Sequence, residues 1–324
     1  MAHRGLFNAE RFQEGPLTND LRFGAQTQMQ TQTQTQTSQE QLYALTNAIK
    51  KATLKDDLAP KAKHVDYCVE YTWRNETALY FWSQIKAQST GAKGNSVRIF
   101  KALALAHRVM QDGHPTARSM APRYLDWFVG ISEDERAQKG AGVEMAGLVR
   151  EYAGCLAEKV RLHSRYAGFD GLLREIEGTP TLSSAQNYSL ALDLQNMHSQ
   201  FSKFFSNLLT QISADRSAKS LDPSLLCVIK ETAGVQRLAT SVLRSVYREG
   251  GEYDLAALRV KYEEQHRELR ELLALCLQQS LFTQEIESLE FAETPPDVQE
   301  EALPAYERVP EYHDQHDPPA YDGR

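Results

Sequence analysis

The chain has 324 residues, with 36 Lys and Arg against 43 Asp and Glu and a formal net charge of -7. That balance argues against a broad basic face of the kind that covers nucleic acid, so no nucleic-acid partner is expected. Four cysteines lie far apart with no C-x-x-C pair, each among the apolar residues of a helical pattern, and read as reduced core residues.

Charge is uneven along the chain. Residues 290–324 hold ten acidic and two basic residues, and residues 1–40 hold four acidic and three basic ones. The middle, 41–289, is therefore slightly basic at +2. No apolar run approaches the roughly 18 residues needed to cross a bilayer. The opening "MAHRGLFNAERFQEG" has no apolar secretory core, so a cytosolic protein is expected.

The tract "GAQTQMQTQTQTQTSQEQ" at 24–41 has no periodic apolar face. Nothing there compensates the entropy of ordering the chain, which predicts disorder over residues 1–40. Helical periodicity then begins. Leu42, Leu45 and Ile49 share one face, and Val65, Cys68, Val69 and Trp73 another. Leu79, Trp82 and Ile85 follow, then Val97, Phe100, Ala104 and His107. Asn95 or Ser96 supplies an N-cap, Gly113 a stop, and Pro115 an early helical position. Moderate helices continue to about residue 165, and no segment alternates as a strand would. Longer helices are predicted over 183–213, 223–248 and 252–288, the last with Leu255, Leu258, Tyr262, Leu269, Leu272, Leu273 and Cys276 on one face. The pattern predicts an all-α protein: an α-solenoid of short helices followed by a bundle of three long ones. Its expected divisions are a disordered Gln/Thr-rich tail at 1–40, a helical domain at 41–292, and a disordered acidic Pro/Tyr-rich tail at 293–324.

Catalytic signals are thin. There is no H-E-x-x-H, G-x-S-x-G or P-loop, and His107 and His163 fall within helical patterns as packing or surface residues. Neither an enzyme nor a cofactor or metal site is expected. The stretch "KKATLKDDLAPKAKH", residues 50–64, is different. Lys50 and Lys51 close one helix; Lys61, Lys63 and His64 open the next, just after Pro60. A tight turn would bring both groups to one end of the helix pair, where the N-terminal backbone amides and helix dipole add to an anion site. Asp56 and Asp57 subtract two charges from five lysines and are expected to trim its affinity.

Lys51, nine residues, then Lys61, Ala62, Lys63 and His64 resemble the phosphoinositide signature of the ANTH domain, the lipid-binding module of clathrin-assembly and endocytic adaptors. "HVDYCVEYTW", "FKALALAHRVMQDGHPTA", "LVREYAGCLAEKVRLHSRY", "TSVLRSV" and "YEEQHRELREL" extend the likeness across about residues 42–290, toward the fungal Sla-type and huntingtin-interacting-protein-related adaptors. The resemblance implies an α-solenoid followed by a helical bundle. It also implies binding of phosphatidylinositol 4,5-bisphosphate at an exposed surface by Lys51, Lys61, Lys63 and His64. Lys50 is an auxiliary candidate on charge alone. The implied setting is the cytoplasmic face of the plasma membrane at endocytic sites and cortical actin patches, with clathrin coat components and epsin-type lipid-binding modules as partners. Adaptors of this type continue into a coiled coil and an actin-binding domain, so direct actin binding is not expected of residues 1–324.

The acidic tail repeats x-Pro-x-Tyr as "LPAY", "VPEY" and "PPAY". Pro318, Pro319 and Tyr321 form a P-P-x-Y match to WW-domain ligands, whose extended conformation docks at low ordering cost. The alternative function is thus a helical interaction scaffold whose tail recruits WW-domain proteins such as a ubiquitin ligase.

Overall fold

The computed structural model describes residues 39–75, 78–90, 95–134, 143–166, 168–174, 181–215, 219–249 and 255–299. The expected disorder of the two tails falls largely on residues outside these ranges. The chain divides into two compact units, Met1–Asn47 and Ala48–Arg324. Of the first, the described residues 39–47 are the front of helix α1 (39–52), in which Leu45 is fully buried. All other described residues belong to the second unit.

The described residues are helical, with no strand among them. After α1 come α2 (Ala62–Asn75), α3 (Leu79–Thr90), α4 (Ser96–Asp112), α5 (Pro115–Met120), α6 (Leu125–Ser132) and α7 (Val143–Arg165). Then follow α8 (Ser184–Ala214), α9 (Asp222–Glu249), α10 (Leu255–Gln278) and the short α11 (Thr283–Glu287). Helices α2, α3, α5 and α7 pack on α4, and α6 on α7, as in a solenoid, while α8, α9 and α10 contact each other pairwise as a bundle.

The punctuation acts as its chemistry requires. Asn95 caps α4, its side chain accepting from Arg98 N at 2.8 Å. Pro115 opens α5, and Ser183 with Gln186 closes a capping box on α8. Gly113 ends α4 in an extended rather than left-handed conformation. Glycine is needed there because a Cβ would collide with Val109 O and sit 3.0 Å from Thr72 Oγ1.

Three expectations change. Trp73 is 54% exposed; α2 instead buries Cys68, Tyr71 and Thr72, and the Trp73 indole donates to Asp112 O at 2.8 Å. Leu79 is likewise exposed, while Phe81, Trp82 and Ile85 bury the α3 face. The predicted helix 252–288 breaks after Gln278, where Ser280 and Phe282 take left-handed conformations and Leu281 N bonds back to Cys276 O at 2.9 Å. No glycine or proline marks that break in "LQQSLFTQ". Residues 293–299, counted with the acidic tail by composition, are described: Val298 is buried, Arg270 bonds Glu293 O, and just before them Phe291 stacks on His266.

α4 is buried on nearly every side, against α2, α3, α5, α7 and α9. At its C-terminal half the core is polar. Glu231 on α9, fully buried, accepts from Lys159 Nζ at 2.5 Å, from Gln111 Nε2 at 2.8 Å and from His107 Nε2 at 3.1 Å. His107 Nδ1 meets the Tyr152 hydroxyl at 2.9 Å, and Lys159 also donates to Gly171 O at 2.8 Å. Burial alone would push the Glu231 carboxyl up, but the Lys159 ammonium and His107 hold it well below its usual range. The network ties α4, α7 and α9 together with its charges satisfied. His107 is thus a core residue bonded on both ring nitrogens, and the four cysteines are free and buried.

Candidate lipid-binding site

The C-terminal end of α1, the loop 53–61 and the first turn of α2 form one continuous basic element. Lys50, Lys51, Lys55, Lys61 and Lys63 are exposed along it, and His64 is partly buried. Among the described residues, Lys50, Lys51, Lys61 and Lys63 form no ion pair. The first turn of α2 contains no acidic residue, so nothing there offsets the positive end of its dipole. His64 N donates to Lys61 O at 2.9 Å, winding that turn tightly.

The charges of both helix ends converge on the imidazole. The His64 imidazolium is disfavoured first by burial and then by the ammoniums of Lys51, Lys63 and Lys61, so its pKa lies below the ordinary histidine value. Lys51 comes from the preceding helix and Lys61 and Lys63 from the following one. The sequence-predicted set is therefore brought together, with Lys50 exposed one residue before Lys51. Exposed ammoniums placed in this way can act together on a compact, multiply charged anion by summed electrostatics.

The loop is held from below by residues that sequence reasoning missed. Lys101, only 2% exposed on α4, donates to Asp56 O and to Asp56 Oδ1, each at 2.7 Å. Arg98 Nε donates to Thr53 O at 3.1 Å, and Ser220 N to Asp57 O at 2.9 Å. The hydrogen bond from Lys101 draws the Asp56 carboxyl below its usual range despite some desolvation. Asp56 is therefore occupied as the counter-charge of a buried lysine, which corrects the expectation that it weakens the lysine cluster. Only Asp57 keeps that character. The signal was a lysine inside the otherwise apolar run "FKALALA", a charge that must find a partner when buried.

The site is an open surface. A cavity of about 420 Å³ lies elsewhere, lined by Arg237, Arg244, Arg248 and His266 and by residues 289–292, and includes none of the signature residues. Pro318, Pro319 and Tyr321, like Tyr306 and Tyr312, lie outside the described residues.

The sequence model of the ANTH domain matches residues 44–303. The chain is 29% identical over 268 residues to the endocytosis protein end4 of Schizosaccharomyces pombe, covering 79% of this chain and 23% of that protein. It is 30% identical over 241 residues to protein SLA2 of Saccharomyces cerevisiae, covering 72% of this chain and 24% of that one. The chain thus spans about a quarter of the length of these relatives. Among solved structures it is similar to the ENTH domain from epsin-2 in complex with phosphatidylinositol 4,5-bisphosphate, with a TM-score of 0.65 and 27% identity over 80% of this chain and 98% of that one. It is similar as well to the endocytic adaptor complex AENTH, with a TM-score of 0.64 and 27% identity over 79% and 98%. With most of its length matched by the family and its helices arranged as the family's are, the chain belongs to the ANTH-domain family.

Proposed function

We propose that this protein is a non-enzymatic endocytic adaptor that docks on phosphatidylinositol 4,5-bisphosphate at the cytoplasmic face of the plasma membrane. It would take part there in clathrin-mediated endocytosis and, with partners, link the coat to actin. The observation that carries the reading is that Lys51 at the end of one helix and Lys61 and Lys63 at the start of the next are exposed on either side of one short anchored loop. The similarity to end4, to SLA2 and to a lipid-bound ENTH domain supports it. Among the described residues no helix is long and apolar enough to cross a membrane. A few lysines at roughly 1 kcal/mol each give weak, salt-sensitive docking, so co-assembly with an epsin-type module and clathrin coat components is part of the proposal. The P-P-x-Y of Pro318, Pro319 and Tyr321 would add WW-domain partners without competing for the lysine cluster.

The test is co-sedimentation with vesicles that carry phosphatidylinositol 4,5-bisphosphate. Reversing Lys61 and Lys63 to Glu removes two attractions and adds two repulsions, on the order of 4 kcal/mol, so pelleting should be abolished. Unchanged lipid-dependent pelleting of the double variant, with an unchanged thermal midpoint, would leave the scaffold alternative in its place.

A further inference from the structure

The loop between the two halves of the basic cluster carries two leucines that do not enter the core. Leu54 is 46% exposed and Leu58 65% exposed. A single exposed leucine needs no explanation. Here, however, both sit on a loop whose backbone is tied down. Its backbone is held at Thr53 by Arg98, at Asp56 by Lys101 and at Asp57 by Ser220 N; Leu54 follows the first of these anchors and Leu58 the last. Thr53 itself is buried, its hydroxyl bonded to Ile49 O at 2.8 Å. The anchored loop thus presents Leu54 and Leu58 to solvent.

What surrounds them decides the occupant. Along the chain Lys50 and Lys51 precede the two leucines, Lys55 lies between them and Lys61 and Lys63 follow; the Asp56 carboxylate is paired with Lys101, which leaves Asp57 as the acidic side chain set against these lysines. Lysine is depleted in the cores of protein–protein interfaces, whereas exposed leucines on a lysine-rich loop match an anionic bilayer. There the long basic side chains reach headgroup phosphates while apolar groups settle at the acyl-chain boundary.

We propose that Leu54 and Leu58 form an apolar wedge that enters the acyl-chain boundary of the phosphoinositide-bearing membrane when the lysine cluster engages its headgroups. The proposal rests on the lipid-binding reading above and supplies from this chain a second, non-electrostatic contact. Long-range attraction brings the turn to the surface, and the leucines then slow its departure. Insertion stays shallow, because the flanking lysines hold to the headgroups and the loop remains tied to α4.

Two measurements test it on the full chain. The four native cysteines are buried, so a Leu58→Cys variant accepts an environment-sensitive fluorophore at position 58 alone. With phosphatidylcholine vesicles carrying phosphatidylinositol 4,5-bisphosphate, its emission should rise, shift to the blue and be quenched by labels near the top of the acyl chains. In parallel, Leu54→Ser with Leu58→Ser should weaken vesicle partitioning about tenfold, the effect of withdrawing two half-exposed leucines from an apolar phase. It should leave binding of soluble inositol 1,4,5-trisphosphate unchanged, because the headgroup meets only the basic residues. An unresponsive fluorophore while the protein still pellets, undiminished partitioning of the Ser variant, or a fluorescence change that needs an added protein would each overturn the wedge and leave the lipid-binding reading standing. If the unaltered protein neither pellets nor binds the soluble headgroup, both fall together.

Discussion

Asp56 and Asp57 are neighbours with the same charge, and the structure gives them opposite effects. Asp57→Ala removes an exposed carboxylate beside the lysine cluster. At about 1 kcal/mol per charge near an anionic surface, vesicle affinity should rise roughly fivefold, with stability unchanged. Asp56→Ala removes the carboxylate that faces Lys101 Nζ at 2.7 Å. Lys101 is buried and the Asp56 side chain is 45% exposed, so the pair lies between an exposed ion pair worth less than about 1 kcal/mol and a buried one worth about 3–5. Asp56 O remains as an acceptor, which brings the expected loss to about 1–2 kcal/mol, a fall of roughly 2–6 °C in thermal midpoint for a domain of this size. A loosened loop spreads the lysines on either side of it, so affinity should not rise even though a negative charge is gone. Scanning calorimetry and vesicle co-sedimentation on both variants read the two effects. Equal tightening by both substitutions, with neither moving the midpoint, would refute the assignment of Asp56 to Lys101.

Two further expectations concern protons. His64 is held below the ordinary histidine pKa by burial and three lysines, and bound phosphates oppose that shift. Protonation is thus linked to binding, and affinity should increase as pH falls from about 7.5 to about 5.5, a dependence that His64→Gln flattens in a vesicle titration. In the core, Glu231→Ala leaves Lys159 buried without its carboxylate partner and should cost about 3–5 kcal/mol by chemical denaturation. The Glu231 carboxyl has a lowered folded-state pKa, so its contribution is complete above the unfolded value near 4.3 and is lost as pH falls toward the lower folded one. Stability of the unaltered protein should therefore drop steeply below about pH 4, and that of Glu231→Gln less so.

What the sequence revealed follows from how local each determinant is. The caps at Asn95, Pro115 and Ser183 act within one turn, so their chemistry is readable from a few letters. The convergence of Lys51 with Lys61 and Lys63 required only that a short loop reverse the chain. Trp73 and Leu79 were misplaced because apolar spacing marks a face without saying whether anything covers it. Trp73 instead spends its indole N–H on Asp112 O and its ring edge on His114. The break at 279–282 was invisible because Ser280 and Phe282 take left-handed conformations that their side chains do not favour. The partners of Lys101 and Glu231 lie 45 and 72 or more positions away, and no local pattern encodes such pairings.

One helix links these findings. The N-terminal half of α4 presents Arg98 and Lys101 to the loop 53–61, and its C-terminal half presents His107 and Gln111 to Glu231 on α9. The 3-10 turn just before α9 also supplies Ser220 N to Asp57 O. The loop is therefore fixed to the same helix pair that carries the buried charge network. Lysine side chains at the surface stay mobile and lose about 2 kcal/mol of rotamer entropy if immobilised, so a cluster of them gains little by being rigid itself. What the fold can supply cheaply is a rigid backbone beneath them. Three hydrogen bonds and one half-buried ion pair hold the turn in place before a membrane is met, while the ammoniums remain free to follow the headgroups. On the proposed reading, affinity would be set by how many charges and apolar tips reach the surface at once, and for a domain with this few, lasting attachment would depend on a neighbour bound to the same patch of lipid.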